Sequence, residues 1–143
     1  MNLIAWSQNM TPEAATAAGA TLVSKDQLFR RADILTIHLV LSSRTRGLVG
    51  AAELEGMKPT AWLINTSRGP IVEEQALITA LQNKRLAGAA IDVFDIEPLP
   101  PSHPFRTLDN VLATPHIGYV SDGLYRTFYE DTVSNIQQWL DTH

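Results

Sequence analysis

The sequence contains no cysteine. A disulfide scaffold, a thiol nucleophile and a cysteine-held metal are therefore excluded. Charge is also scarce: charged residues make up 18% of the chain, against the ~25% usual for soluble domains. The formal net charge is -4, and the lysines and arginines form no stripe. Nucleic-acid backbones are bound by clustered cations, so nucleic acid is not an expected partner. No apolar run reaches the ~18 residues of a membrane span, so no membrane association is expected either. The opening residues, MNLIAWSQNM, lack a basic region ahead of a long apolar stretch. No secretory signal is read there, and the expected location is the cytoplasm.

Hydrophobic residues, by contrast, make up 45% of the 143. A chain of this length fits the prior of one domain per ~100–200 residues and can bury a core. The low charge share hints that some of its surface is covered by other protein.

The pattern alternates short apolar runs with helical periods. Leu3 to Trp6, Thr21 to Val23, Ile34 to Leu39, Ala61 to Ile64, Leu86 to Ile91 and Val111 to Ala113 read as strands. Thr11-Pro12-Glu13 opens a helix with a hydroxyl cap, a proline in the first turn and an acid near the positive end; Gly19 can close it. Ser24 with Gln27 reads as a capping box. Further helices are expected from Ala51 to Met57, from Glu73 to Asn83, and from about 121 to 142, where Tyr125, Phe128, Thr132, Ile136 and Trp139 or Leu140 recur at helical spacing. The proline-rich segment from Asp95 to Asn110 reads as a loop. Strands separated by helices imply parallel β-α-β units in a doubly wound α/β sheet. Ligands of such sheets lie beyond the carboxyl ends of the strands, so the polar residues that follow each apolar run are the ones to weigh.

Arg68, between Ser67 and Gly69, can hold a carboxylate bidentately, or can simply tie its loop to a nearby acid. Gly69 permits a tight turn or a close approach to ligand. Asp92 can accept from a ligand amide or cap the following turn. Glu97 lies in a loop before Pro98. His116 can exchange a proton near neutral pH, and a neighbouring carboxylate would orient it. His38, inside an apolar run, reads as structural; His103 and His143 carry no signal. Jointly, an Arg, a Glu and a His on three connections of one sheet fit a 2-oxo acid and 2-hydroxy acid pair. Arg would hold the carboxylate, His would move the proton, Glu would hold the His, and a cofactor would carry the hydride.

Three ordered motifs sharpen this reading. Asn65-Thr66-Ser67-Arg68-Gly69, then Ala90-Ile91-Asp92-Val93-Phe94 with Glu97-Pro98, then Thr114-Pro115-His116-Ile117-Gly118 closely resemble the NAD-binding domain of D-isomer-specific 2-hydroxyacid dehydrogenases. The resemblance runs over nearly the whole chain. It implies a Rossmann-like fold and NAD as cofactor, with a small 2-hydroxy or 2-oxo acid as substrate, of glyoxylate or hydroxypyruvate type. No metal is expected, and a homo-oligomer is expected through exposed sheet edges or the Tyr125–Leu140 helix face. Arg68 matches the substrate-carboxylate arginine, which also borders the cofactor. Glu97 matches the acid paired with the catalytic histidine, and His116 that histidine. Asp92 matches the aspartate near the nicotinamide carboxamide, and Gly118 is expected close to the same ring. Leu39, Val40, Thr45, Thr66 and Ser67 match cofactor-contacting positions.

The sequence also departs from the family pattern. Ser7 stands where an acid usually binds the adenosine ribose; a neutral residue there removes repulsion of a 2′-phosphate and admits NADP. Val40 replaces a frequent proline, and Tyr119 a frequent small residue. Most important, there is no G-x-G-x-x-G and no strand before it. The resemblance therefore implies a partial sheet over residues 1–143, with the first strand and the substrate domain missing. In the order 3-2-1-4-5-6, losing strand 1 leaves two sheet halves without a shared neighbour and exposes their edges. Two functions remain open: a dehydrogenase represented by a fragment not competent alone, or a non-catalytic remnant or oligomerisation module with the same fold.

Overall fold

The structure is a computed structural model and describes residues 1–142; His143 lies outside the described residues. In chain order it contains β1 (Ile4–Ala5), α1 (Pro12–Ala17), β2 (Thr21–Leu22), α2 (Lys25–Arg31), β3 (Ile34–Ile37), α3 (Ala51–Gly56), β4 (Trp62–Asn65), α4 (Glu74–Gln82), β5 (Gly88–Ile91), β6 (Val111–Ala113) and α5 (Asp122–Thr142). Short 3-10 turns lie at Gly69–Ile71 and Pro104–Arg106. The second of these gives the proline-rich segment more order than its composition predicts.

The local signals in the sequence produce the expected ends. Thr11 caps α1 by accepting the Ala14 N–H, and Ser24 and Gln27 form the reciprocal capping box of α2. Gly19 closes α1 at φ +72, with Ala20 donating to the Ala15 carbonyl. Lys84 closes α4 in the same way at φ 51, with Arg85 donating to Ala80. That turn has no glycine to announce it. The predicted strand from Ile34 to Leu39 ends at Ile37, where the register with Asn65 ends. His38 is therefore outside the strand rather than inside it. It is exposed and pairs with the Thr36 hydroxyl at 2.9 Å.

The strands form two separate parallel sheets. One is β1-β2; the other has the order β3-β4-β5-β6. Among the described residues no strand joins them. In the larger sheet, Leu35, Ile37, Leu63, Asn65, Ala89 and Ile91 are buried on one face. They join the core with Phe29 of α2, Leu54 of α3 and Leu77, Ile78 and Leu81 of α4. The opposite face presents Ile34, Trp62 and Leu112, which are exposed. α5 buries none of its residues. Its 21 residues make a rod about 32 Å long, with Tyr125, Phe128, Tyr129, Val133, Ile136, Trp139 and Leu140 all exposed. No helix among the described residues is long and apolar enough to cross a membrane.

Candidate active site

Parallel pairing puts the carboxyl ends of β4, β5 and β6 side by side. The ladder continues one step beyond the strands, with Asp92 N–H donating to the Asn65 carbonyl and Thr114 N–H to the Ile91 carbonyl, both at 3.0 Å. Three loops therefore leave the sheet from adjacent points, and they carry Arg68, Glu97 and His116.

The β4 loop is organised by Asn65, a buried residue to which the sequence assigned no role. Its side chain accepts the Ser67 N–H at 3.1 Å and donates to the Arg68 carbonyl at 3.0 Å. Ser67 Oγ donates to the Leu39 carbonyl. Thr45 Oγ1 donates to the Val40 carbonyl at 2.7 Å, so the loops after β3 and β4 form one wall. Thr66 is exposed at its rim. The Arg68 guanidinium is exposed and touches only the Ser67 carbonyl among the described residues, at 2.6 Å through Nη1, which leaves donors for a carboxylate. Gly69 permits a close backbone contact. A Cβ there would lie 2.2 Å from the Phe94 carbonyl carbon, so glycine lets the β4 loop touch the backbone of the β5 loop.

Asp92, buried at the end of β5, anchors the turn after β6 rather than the turn that follows it in sequence. Its Oδ1 accepts Ile117 N–H at 2.9 Å and Thr114 O–H at 2.5 Å, and its Oδ2 accepts Gly118 N–H at 2.8 Å. Burial acts to raise the Asp92 pKa, yet the net shift is downward. The Thr114 hydroxyl, the two N–H groups and the His116 charge outweigh the burial. The carboxylate thus pins the turn that holds His116 at φ 56, a conformation costly for a residue with a Cβ.

His116 Nδ1 lies 2.7 Å from Glu97 Oε2. The other carboxylate oxygen accepts the Phe94 N–H at 2.9 Å. Burial again acts to raise the Glu97 pKa, and the net shift is again downward, because of His116, the Phe94 N–H and the nearby Arg68 charge. An ionised Glu97 can only accept, so His116 donates from Nδ1 and leaves Nε2 open. Arg68, Glu97 and His116 therefore share one electrostatic neighbourhood. Ser7 lies apart from them, just after β1 on the smaller sheet. Among the described residues no cluster of His, Asp and Glu could hold a metal ion.

Residues 1–118 match the family model described as D-isomer specific 2-hydroxyacid dehydrogenase, NAD binding domain. The chain belongs to this family. It is 46% identical over 116 residues to a glyoxylate reductase of Aeropyrum pernix, covering 81% of this chain and 35% of that protein. A phosphoglycerate oxidoreductase of Vibrio cholerae superposes with a TM-score of 0.90 at 34% identity, covering 100% of this chain and 46% of the other. A D-isomer specific 2-hydroxyacid dehydrogenase of Xanthobacter autotrophicus, solved with NADPH and MES, gives 0.67 at 39% identity over 69% of this chain and 32% of the other. The chain spans less than half of the curated relatives it matches, from 21% to 44% of their length.

Replacing Asp92 with Ala leaves two backbone N–H groups and a hydroxyl without their acceptor, and should lower stability by about 2–3 kcal/mol. Urea unfolding reads this directly. Because the folded pKa is depressed, the contribution of Asp92 is present above its ordinary value of 3.8. It should be lost as pH falls below that value and through the folded one.

Proposed function

We propose that this chain supplies the proton-handling and nicotinamide-facing part of an oxidoreductase. The reaction interconverts a small D-2-hydroxy acid, of glyoxylate or hydroxypyruvate type, with its 2-oxo acid, using NAD or NADP. The observation that carries the reading is the Glu97-paired His116, with Nε2 open, beside an Arg68 whose guanidinium has donors to spare. Arg68 binds the substrate carboxylate and fixes the neighbouring carbon. In the reducing direction His116 gives the proton from Nε2 to the substrate oxygen; in the oxidising direction it takes that proton back. Glu97 holds the ring and offsets its charge when both nitrogens are protonated. The bound nicotinamide supplies or receives the hydride.

The residues fit the nicotinamide end of the cofactor. Asp92 has accepted three hydrogens, and a carboxylate has about four acceptor positions, so Oδ2 can take one more from a carboxamide. Gly118 lies against that oxygen: a Cβ there would stand 3.0 Å away. Leu39, Val40, Thr45, Thr66 and Ser67 form the adjoining wall, and Ser7 stands where the ribose would be read. The pyrophosphate finds no counterpart, since the sequence contains no glycine-rich turn between a strand and a helix.

A second reading draws on the uncovered surfaces. The face with Ile34, Trp62 and Leu112 and the apolar side of α5 are exposed, which marks interaction surface. We therefore also propose that the chain self-associates as a homo-oligomer through them.

Three outcomes follow from these readings. Titration of the chain with NADH by calorimetry should show weak or absent binding; micromolar affinity would contradict the missing phosphate cradle. In an enzyme that joins this chain to a substrate domain, His116→Gln should lower kcat by about 10²–10⁴, with cofactor affinity nearly unchanged. Light scattering over a wide concentration range should show mass growing beyond 15.7 kDa; a monomer throughout removes the self-association.

A further inference from the structure

Glu97 stands on an exposed stretch of the loop between the core residues Phe94 and Phe105. Asp95, Ile96, Glu97 and Pro98 are all exposed, and no strand ladder runs through them. The loop is instead closed by a pair of side chains outside the Arg68, Glu97 and His116 group. Glu74, in the first turn of α4, sets Oε1 3.0 Å from His103 Nε2 and Oε2 3.5 Å from the Asp95 N–H. One carboxylate thus reaches both ends of the segment that carries Glu97. Both side chains are largely buried, at 13% and 25% exposure for His103 and Glu74.

His103 is itself oriented. Its Nδ1 accepts the Phe105 N–H at 3.3 Å, so the ring proton sits on Nε2 and points at Glu74. The ring packs 4.9 Å from that of Phe105, a core residue. Arg106 gathers the intervening stretch by donating to the Leu99 and Pro100 carbonyls at 2.6 and 2.9 Å. Asp95 completes the cluster. Burial, and then the Glu74 charge, push its pKa up, against Arg46 and His103.

We propose that Glu74 and His103 are positioning residues that close the Asp95-to-His103 loop and so keep Glu97 within hydrogen-bond reach of His116 Nδ1. This inference rests on reading Glu97 and His116 as the proton-handling pair. Its consequence is the His116 tautomer. With Glu97 in place the proton of the neutral ring sits on Nδ1; with Glu97 adrift it redistributes towards Nε2.

Long-range nitrogen–proton NMR correlations of the His116 ring, recorded on the full chain at neutral pH, read the tautomer without cofactor or turnover. The Nδ1–H form should dominate in the unmodified protein. Glu74→Ala and His103→Ala should each lose about half or more of it, while Glu74→Gln, whose amide oxygen still accepts from His103 but whose NH2 cannot accept the Asp95 N–H, should keep more of it than Glu74→Ala. Should Glu74→Ala not fold, His103→Ala gives the same reading, since it leaves α4 untouched. Folded Ala variants that keep the Nδ1–H form overturn the clamp, as does a Glu74→Gln variant that loses as much of it as Glu74→Ala. Absence of the Nδ1–H form in the unmodified protein overturns instead the Glu97–His116 pairing on which the clamp rests.

Discussion

The site depends on one buried carboxylate. Asp92 ends the most enclosed strand, and its two oxygens gather three donors from the turn after β6. That anchor, with the His116 N–H donating to the Thr114 carbonyl, holds His116 in the left-handed region. The cost of the conformation is offset by charge-assisted hydrogen bonds to a buried carboxylate. The direction in which the His116 ring can point, and hence which nitrogen faces outward, follows from this arrangement.

The two neighbouring loops are tied to the same point by different means. Gly69 lets the Arg68 loop rest on the Phe94 backbone, and Phe94 in turn donates to Glu97. Arg68, Glu97 and His116 thus sit on a continuous chain of contacts that begins at the carboxyl ends of β4, β5 and β6. Small residues make this possible. β5 is Gly-Ala-Ala-Ile, narrow enough to lie between two strands under the Trp62 ring, which a Cβ on Gly88 would meet at 2.5 Å. Rigid strands and short polar ties give the site its geometry, while the surfaces away from it stay bare.

Those bare surfaces are the other consequence of the topology. Helices α2, α3 and α4 cover one face of the larger sheet, and the other face keeps exposed apolar side chains. α5 carries aromatic and aliphatic residues along its length and buries none of them. The 18% charged content is what a chain with such surfaces would show. Composition signalled uncovered surface but could not say where it lies, because amphipathic spacing in α5 looks the same whether or not its apolar side is packed.

By itself the sequence determined the alternation of strands and helices and the caps at Thr11, Ser24 and Gly19, because these are written in local spacing and residue type; its motifs singled out Arg68, Glu97 and His116, which the fold brings to adjacent loops. It missed the Lys84 cap, since a lysine in that conformation has no local signature. It also set His38 inside a strand and passed over His103. Only the tertiary structure decided that Asp92 pins the His116 turn, that Gly69 serves a backbone contact, that Asn65 orders the Arg68 loop and that Glu74 reaches His103. Each of these joins residues far apart in sequence. Hydrogen-bond partners across a parallel sheet are chosen by register and burial, and neither is visible in a linear pattern.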